Sequence, residues 1–287
     1  MPHIYTLHHT VFNSEGDAWG QLQPSGVLRI LETAAILAAA AGGYGDEFHA
    51  AQGTAWVIRR MNLLLLAPAH VSAELEIRTW ASHFMRVRGG REYNIQNLTT
   101  GDQVARGIAE WVYVDRKSGM PRPIPPQVGI DFDVPGAPLG LYEAPSIAPM
   151  HTPREFRANR KAEWYEADSM GHVNNTVYAD WLDAAFRDAM EQMGWPVAVY
   201  KERGYQLRAE YIALEYKRPA LPGDHLAITT GLVGRQGRLC SVRHVIRQIS
   251  SSDSVELASA EYVYGWVDIK GMQSDPPRGW PGDISAV

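Results

Sequence analysis

The sequence predicts an α+β protein built from two similar halves, each with one long helix followed by an antiparallel sheet. Three observations support this prediction. Two segments match each other in a constant register, each runs from an apolar helix into several strand-like stretches, and a proline-rich segment separates them. The 287 residues are enough for two domains of ordinary size.

The repeat has a constant offset of 151 residues, which places Asp168 under Asp17 and Gly171 under Gly20. The same offset continues into the later strands of each half. It pairs Leu31 with Leu182, Pro68-Ala69 with Pro219-Ala220, Ile77 with Ile228, Thr79 with Thr230, Ala109-Glu110 with Ala260-Glu261 and Val112-Tyr113 with Val263-Tyr264. Because chance rarely preserves one register over so long a stretch, the pattern indicates an internal duplication.

In each half, a short strand precedes a polar turn and a long helix. The first strand is predicted at 4–11. Its helix begins near Pro24 and ends before Gly42, as expected from the preference for Pro early and Gly late in helices. The second strand is predicted at 160–165 and its helix at about 175–193. Apolar runs then predict four strands per half. These runs are AWVIRRMNLLLL, SAELEIRTWAS, REYNIQNLTT and ARGIAEWVYVD, then YQLRAEYIALEYK, HLAITTGLVG, CSVRHVIRQIS and ASAEYVYGWVD.

The proline-rich segment divides the chain into predicted domains. We expect an N-terminal domain at 1–125, a linker at 126–157, a C-terminal domain at 158–272 and a tail at 273–287. The stretches PRPIPPQ, VPGAP and APSIAPM lie at or within the linker, and such composition favours extended or turn conformations.

Composition and charge exclude several classes of function. The net charge of −5 and the lack of a long basic run give no indication of nucleic-acid binding. A single cysteine, Cys240, suits a reducing compartment, and the N-terminus lacks a secretory signal pattern. The most apolar segment, GVLRILETAAILAAAA, is short for a membrane span and carries Arg29 and Glu32. We therefore expect a cytoplasmic protein without a membrane span.

The loop DSMGHVNNTVY, at 168–178, holds the candidate catalytic residues. Asp168 can activate a water molecule or act as a nucleophile, and His172, four residues later, can hydrogen-bond the water or a carbonyl group. Gly171 permits close backbone approach to a ligand, and Asn174 and Asn175 are further candidates for substrate binding. The same residue types are also ordinary helix-capping residues, so this loop alone leaves both interpretations open.

The duplicated pattern resembles the hot-dog thioesterases, in which a curved antiparallel sheet wraps a central helix. The loop is similar to that of the 4-hydroxybenzoyl-CoA thioesterase group. The two halves together resemble the fatty acyl-ACP (acyl carrier protein) thioesterases of plants and bacteria over roughly residues 3–268. The segments WVIRRM, RTW and GHVNN, with the paired halves, carry this resemblance. It implies a tandem hot-dog fold.

The resemblance also implies thioester hydrolysis, with different roles for the two halves. The second half would be catalytic through Asp168 and His172, and the first half would shape the acyl pocket with Trp56 and Met61 as candidate contacts. The plant enzymes carry Asn and Glu where this chain has Met170 and Pro219. The carrier could therefore be acyl-ACP or CoA. We expect a cofactor-free monomer or homodimer, with a non-catalytic acyl-thioester-binding protein as the alternative.

Overall fold

The computed structural model of the chain describes residues 3–134, 141–249 and 254–280. The chain forms two units, Met1–Glu143 and Ala144–Val287. The division falls inside the predicted linker at 126–157. The proline-rich residues 135–140 lie outside the described residues.

The described residues of the first unit, 3–134 and 141–143, form five antiparallel strands and three helices. The strands are β1 (Tyr5–Thr10), β2 (Thr54–Leu65), β3 (Glu74–Met85), β4 (Arg88–Asn97) and β5 (Gln103–Asp115). The helices are α1 (Pro24–Ala41), α2 (Asp46–Gln52) and α3 (Pro126–Asp131). The strands are hydrogen-bonded in the order β1-β3-β4-β5-β2.

The second unit repeats this arrangement. Its strands are β6 (Pro149–Lys161), β7 (Tyr205–Tyr216), β8 (His225–Gln236), β9 (Leu239–Ile249) and β10 (Ser254–Asp268), and its helices are α4 (Val177–Gln192) and α5 (Val197–Glu202). The order β6-β8-β9-β10-β7 is antiparallel throughout. Each strand takes the place of its counterpart in the first unit, so the predicted α+β duplication is confirmed.

One long helix is buried in each unit. In the first unit, α1 begins with Pro24 at its first position and ends before Gly42, as predicted. Its length and composition alone would allow it to cross a membrane, but half of it is buried inside the unit. Val27, Leu28 and Leu31 are at most 2% exposed, and the helix packs against β3 and β1. We therefore interpret α1 as the core helix of this unit.

The second long helix, α4, buries Trp181, Leu182 and Phe186 and packs against β8 and β6. These residues recur at helical spacing along one face, which is the pattern of a helix with one side against a sheet. The observed bounds lie within two residues of the predicted 175–193.

Three predicted boundaries differ from the structure. The strand predicted at 160–165 runs instead over Pro149–Lys161, and a short 3-10 turn, Trp164–Glu166, follows it. The predicted linker contains α3 and the first part of β6. The α3 segment is ordered because Val128 and Phe132 are buried against Ala81. The predicted tail contains Trp280, which is 1% exposed and lies against Trp266 at 5.0 Å between ring centroids.

His244, a buried side chain on β9, predicts a pH dependence of stability. Its Nδ1 lies 3.1 Å from Thr230 Oγ1, its Nε2 has no partner among the described residues, and burial lowers its pKa to about 3. Between that value and the unfolded pKa of about 6.5, the unfolded chain binds more protons, so stability falls as pH falls through this window. The binding of one such proton changes the free energy of unfolding by at most about 1.4 kcal/mol per pH unit.

His244→Leu should therefore reduce the loss of unfolding free energy between pH 6.5 and pH 4, as measured by urea denaturation. His225→Leu is the matched control, since His225 is an exposed histidine on β8. Equal pH slopes in wild type and His244→Leu would contradict a buried neutral imidazole at this position.

Candidate active site

The loop with the candidate catalytic residues is a tight hairpin between β6 and α4. Ala167 and Val173 form an antiparallel bridge at its base. The Asp168 N–H donates to the His172 carbonyl at 3.0 Å, and the Gly171 N–H donates to the Asp168 carbonyl at 3.0 Å. Gly171 has φ of +80°, which glycine adopts without steric cost. Backbone hydrogen bonds therefore determine the path of the loop.

The two predicted catalytic side chains lie side by side in this hairpin. The Asp168 Oδ1 accepts a hydrogen bond from the Met170 N–H at 2.8 Å. The other oxygen, Oδ2, lies 3.7 Å from His172 Nδ1. Both side chains are about one quarter exposed, at 25% and 27%. One carboxylate oxygen thus shapes the turn, while the other faces the imidazole and is accessible to a small reactant.

The two asparagines shape the entry into α4. The Asn174 Oδ1 accepts hydrogen bonds from the Thr176 N–H and Oγ1 at 2.9 and 2.6 Å. The Asn175 carbonyl accepts from the Tyr216 hydroxyl at 2.9 Å. Thr176 is the N-cap residue, so the helix begins farther from Asp168 than the sequence indicates. These contacts give both asparagines a structural role, and their part in substrate binding stays a prediction.

Trp56 and Met61 lie in the first unit, on β2. Met61 is 3% exposed and belongs to the core of that unit. Trp56 is half-buried and packs its ring against Tyr113 at 5.0 Å and Phe84 at 6.0 Å between centroids. Both side chains contribute to an apolar interior, and their predicted contact with an acyl chain stays a prediction.

The first unit carries the same hairpin without the histidine. The Asp17 N–H donates to the Gln21 carbonyl at 2.7 Å, and Gly20 has φ of +69°. The Asp17 Oδ1 accepts from the N–H groups of Trp19 and Gln21 at 2.8 and 3.0 Å. The Asp17 carboxylate is therefore engaged within its own loop and does not cap α1, whose N-cap residue is Gln23. Gln21 stands at the position of His172.

A buried glutamate below the hairpin was missed by sequence reasoning. The Glu166 Oε1 accepts from Arg160 Nη2 at 2.6 Å and from Trp181 Nε1 at 2.9 Å. Its Oε2 accepts from the Glu163 N–H at 2.7 Å, and its carbonyl accepts from the Asn174 N–H at 2.9 Å. The internal repeat does single it out, because the register that aligns Asp168 with Asp17 also aligns Glu166 with Glu15.

The segment after β7 holds the other side of the hairpin. The Val173 N–H donates to the Ala220 carbonyl at 2.9 Å, and the Ala220 N–H donates to the Tyr178 hydroxyl oxygen at 2.8 Å. Burial raises the pKa of Tyr178 to about 12, so this hydroxyl stays protonated at neutral pH. Pro219 precedes Ala220 and supplies no carboxylate here. Asp168 and His172 thus lie side by side in this hairpin, and their catalytic role stays a prediction.

Neither Cys240 nor a metal cluster offers a competing site among the described residues. Burial raises the pKa of Cys240 to about 12, which keeps it a protonated thiol at neutral pH. Within residues 3–134, 141–249 and 254–280, no group of three or more His, Cys, Asp or Glu side chains could hold a metal ion.

Two family models match the chain, one in each half. The family model described as the acyl-ACP thioesterase N-terminal domain matches residues 2–130, and that of the thioesterase-like superfamily matches residues 162–284. Each half of the chain therefore matches a thioesterase family model. The hairpin with Asp168 and His172 thus lies in the half that matches the thioesterase-like superfamily, and the first half matches the acyl-ACP thioesterase N-terminal domain.

Individual relatives are distant. A chloroplastic palmitoyl-acyl carrier protein thioesterase from Arabidopsis thaliana is 22% identical over 213 residues, which cover 72% of this chain and 48% of the plant protein. The chain thus spans about half the length of that relative. A Lactobacillus plantarum protein assigned as an oleoyl thioesterase has a TM-score of 0.76 at 16% identity and covers 92% of this chain and 96% of its own. The 12:0-ACP thioesterase from Umbellularia californica has a TM-score of 0.72 at 15% identity, and the match covers 92% of this chain and 94% of that protein. These likenesses show the double hot-dog fold.

The positive φ of Gly171 predicts a local cost of substitution. An added Cβ would have no atom within 4 Å at Gly171 or at its counterpart Gly20, so the cost is backbone strain alone. Gly171→Ala and Gly20→Ala should each lower the free energy of unfolding by about 1 kcal/mol. Denaturant titration measures this, with Ser169→Ala as a control in the same loop. A change at Ser169 as large as that at Gly171 would contradict strain as the cause.

Proposed function

We propose that this chain is a thioester hydrolase that releases a free fatty acid from acyl-ACP. The observation that carries the proposal is the Asp168–His172 pair, 3.7 Å apart and partly exposed in a thioesterase-family hairpin. Acyl-CoA is the second candidate substrate. Met170 favours it, because the hairpin then matches the simpler acyl-CoA enzymes, whose loop needs only the aspartate.

The geometry supports a direct hydrolytic step. A thioester carbonyl carbon is electrophilic, so the enzyme must activate a water molecule and stabilise the negative charge that develops on the carbonyl oxygen. In the proposed step Asp168 accepts the water proton while the water oxygen attacks the carbonyl carbon. The carbon–sulfur bond then breaks, the proton held by Asp168 passes to the leaving sulfur, and the products are the free fatty acid and the free thiol. His172 would hydrogen-bond the water or the carbonyl oxygen, and the first N–H groups of α4 are a further source of positive potential.

The turn before the hairpin supports a bulky, partly apolar substrate. Trp164 and Tyr165 are 82% and 81% exposed and directly precede Glu166. The corresponding positions in the first unit hold the polar residues Asn13 and Ser14. Exposed aromatic side chains beside a site are typical of a surface that contacts a ligand. The first unit, whose hairpin has Gln21 in place of the histidine, would then contribute acyl-binding surface instead of catalysis.

The test is release of free thiol from a panel of acyl-ACP and acyl-CoA substrates of different chain lengths. Asp168→Asn should lower kcat by about a hundredfold or more, the usual scale for loss of a general base. The substitution keeps an oxygen that can accept from the Met170 N–H, so the hairpin should persist. Asp17→Asn is the matched control and should leave kcat nearly unchanged. Equal losses in both variants would contradict a single catalytic hairpin, and no turnover in wild type would favour a binding protein.

His172 should contribute less than Asp168, because it orients a reactant that the carboxylate activates. His172→Ala should lower kcat/KM by about ten- to a hundredfold on the best substrate of that panel. Gln21→Ala, at the corresponding position of the first unit, is the control and should have little effect. A larger loss for His172→Ala than for Asp168→Asn would reverse the two roles.

A further inference from the structure

We propose that Glu166 is a positioning residue that holds the Asp168 hairpin against α4. The inference rests on the proposed hydrolase function, because it concerns how that site is kept in its reactive geometry. Glu166 does not belong to the reactive pair. Its carboxylate is instead buried beneath the hairpin, where it joins elements on both sides.

The backbone of Glu166 closes the hairpin. Its carbonyl accepts from the Asn174 N–H at 2.9 Å, directly below the bridge between Ala167 and Val173. Asp168 follows two residues later and pairs with His172 across the same ladder. A displacement of Glu166 therefore moves both strands of the hairpin, and the two reactive side chains with them.

The side chain of Glu166 fixes this base to two other elements. Arg160, at the end of β6, and Trp181, in the second turn of α4, both donate to Oε1. The Arg160 guanidinium also lies 4.4 Å from the centroid of the Trp181 ring. Glu166 and Arg160 are 9% and 27% exposed, so their charge-assisted hydrogen bond is partly shielded from water. Removal of the carboxylate would leave a half-buried guanidinium and a buried indole N–H without this acceptor.

The first unit provides an internal comparison. The Glu15 carboxylate accepts from the Phe12 N–H at 2.8 Å and lies 2.9 Å from His9 Nε2, and its carbonyl accepts from the Gln23 N–H at 3.0 Å. The backbone frame is thus the same as at Glu166. The α1 residue at the position of Trp181 is Ile30, whose side chain has no donor. At this position of the long helix, the half with the candidate reactive pair has a donor to its glutamate and the other half has none.

The hydrogen bonds of the Glu166 side chain with Arg160 and Trp181 thus determine where the carboxylate of Asp168 lies relative to α4. A misplacement of about 1 Å in a reacting group can cost about a hundredfold in rate. A looser hairpin should therefore lower kcat while leaving KM nearly unchanged, because the substrate-binding surface stays in place. A purely structural role would instead lower thermal stability and leave kcat of the folded enzyme unaltered.

The experiment compares Glu166→Gln with Glu15→Gln in the full chain. Both substitutions keep the side-chain shape and remove a charge and one acceptor, so both should lower Tm by similar amounts. At a temperature where both are folded, Glu166→Gln should lower kcat about ten- to a hundredfold with KM changed less than about threefold. Glu15→Gln should stay within about twofold of wild type. Trp181→Phe removes the indole donor together with part of the buried ring, and adding it to Glu166→Gln should cause little further loss of kcat at a temperature where the double variant is folded.

Amide hydrogen exchange gives a readout that does not require activity. Glu166→Gln should accelerate exchange within residues 168–174, and Glu15→Gln within residues 17–23. Unchanged exchange at 168–174, or a kcat of Glu166→Gln within twofold of wild type, would overturn the positioning role. Absence of thiol release by the wild type would overturn the proposed function instead, and the exchange result would still decide whether Glu166 holds the hairpin.

Discussion

Burial of one long helix against one five-stranded antiparallel sheet is the constraint on which each unit depends. Large apolar side chains of α1, such as Leu28 and Leu31, and of α4, such as Leu182 and Phe186, are at most 1% exposed. Each fully buried side chain of this size contributes about 1.5 to 3 kcal/mol relative to an exposed one. Since the strand before each helix lies at the edge of the sheet, the connecting hairpin must bring the chain over the sheet within a few residues.

That hairpin explains why an aspartate persists in both halves. In each unit, an Oδ1 atom accepts a backbone N–H two residues later, which stabilises the turn whether or not chemistry follows. An aspartate at this place therefore does not by itself mark a reaction site. The neighbouring side chain makes the difference. The His172 imidazole lies beside the second carboxylate oxygen of Asp168. At the same position in the first unit, Gln21 donates its backbone N–H to Asp17 Oδ1.

The two units have diverged most clearly in the side chains that support the hairpin. Three positions that hold Val27, Ile30 and Leu65 in the first unit hold Tyr178, Trp181 and Tyr216 in the second. Each of the three aromatic residues makes a hydrogen bond to the hairpin or to a segment that contacts it. The same backbone thus carries apolar packing in one unit and a hydrogen-bonded support in the other. Such support is what a reaction site requires, because reactive groups must be held within a fraction of an ångström.

The sequence by itself determined the duplication and the two long helices, and it pointed to Asp168 and His172 as the candidate reactive pair. These features can be read without coordinates, because they follow from the constant register of the repeat, the apolar periodicity and the residue types at Asp168 and His172. The tertiary structure decided the rest. The repeat aligns Glu166 with Glu15, but only folding brings Arg160 and Trp181 to the Glu166 carboxylate. Trp280 resembles part of a tail until it packs against Trp266. These roles depend on contacts between residues distant along the chain, and no local pattern encodes which buried donor will meet which acceptor.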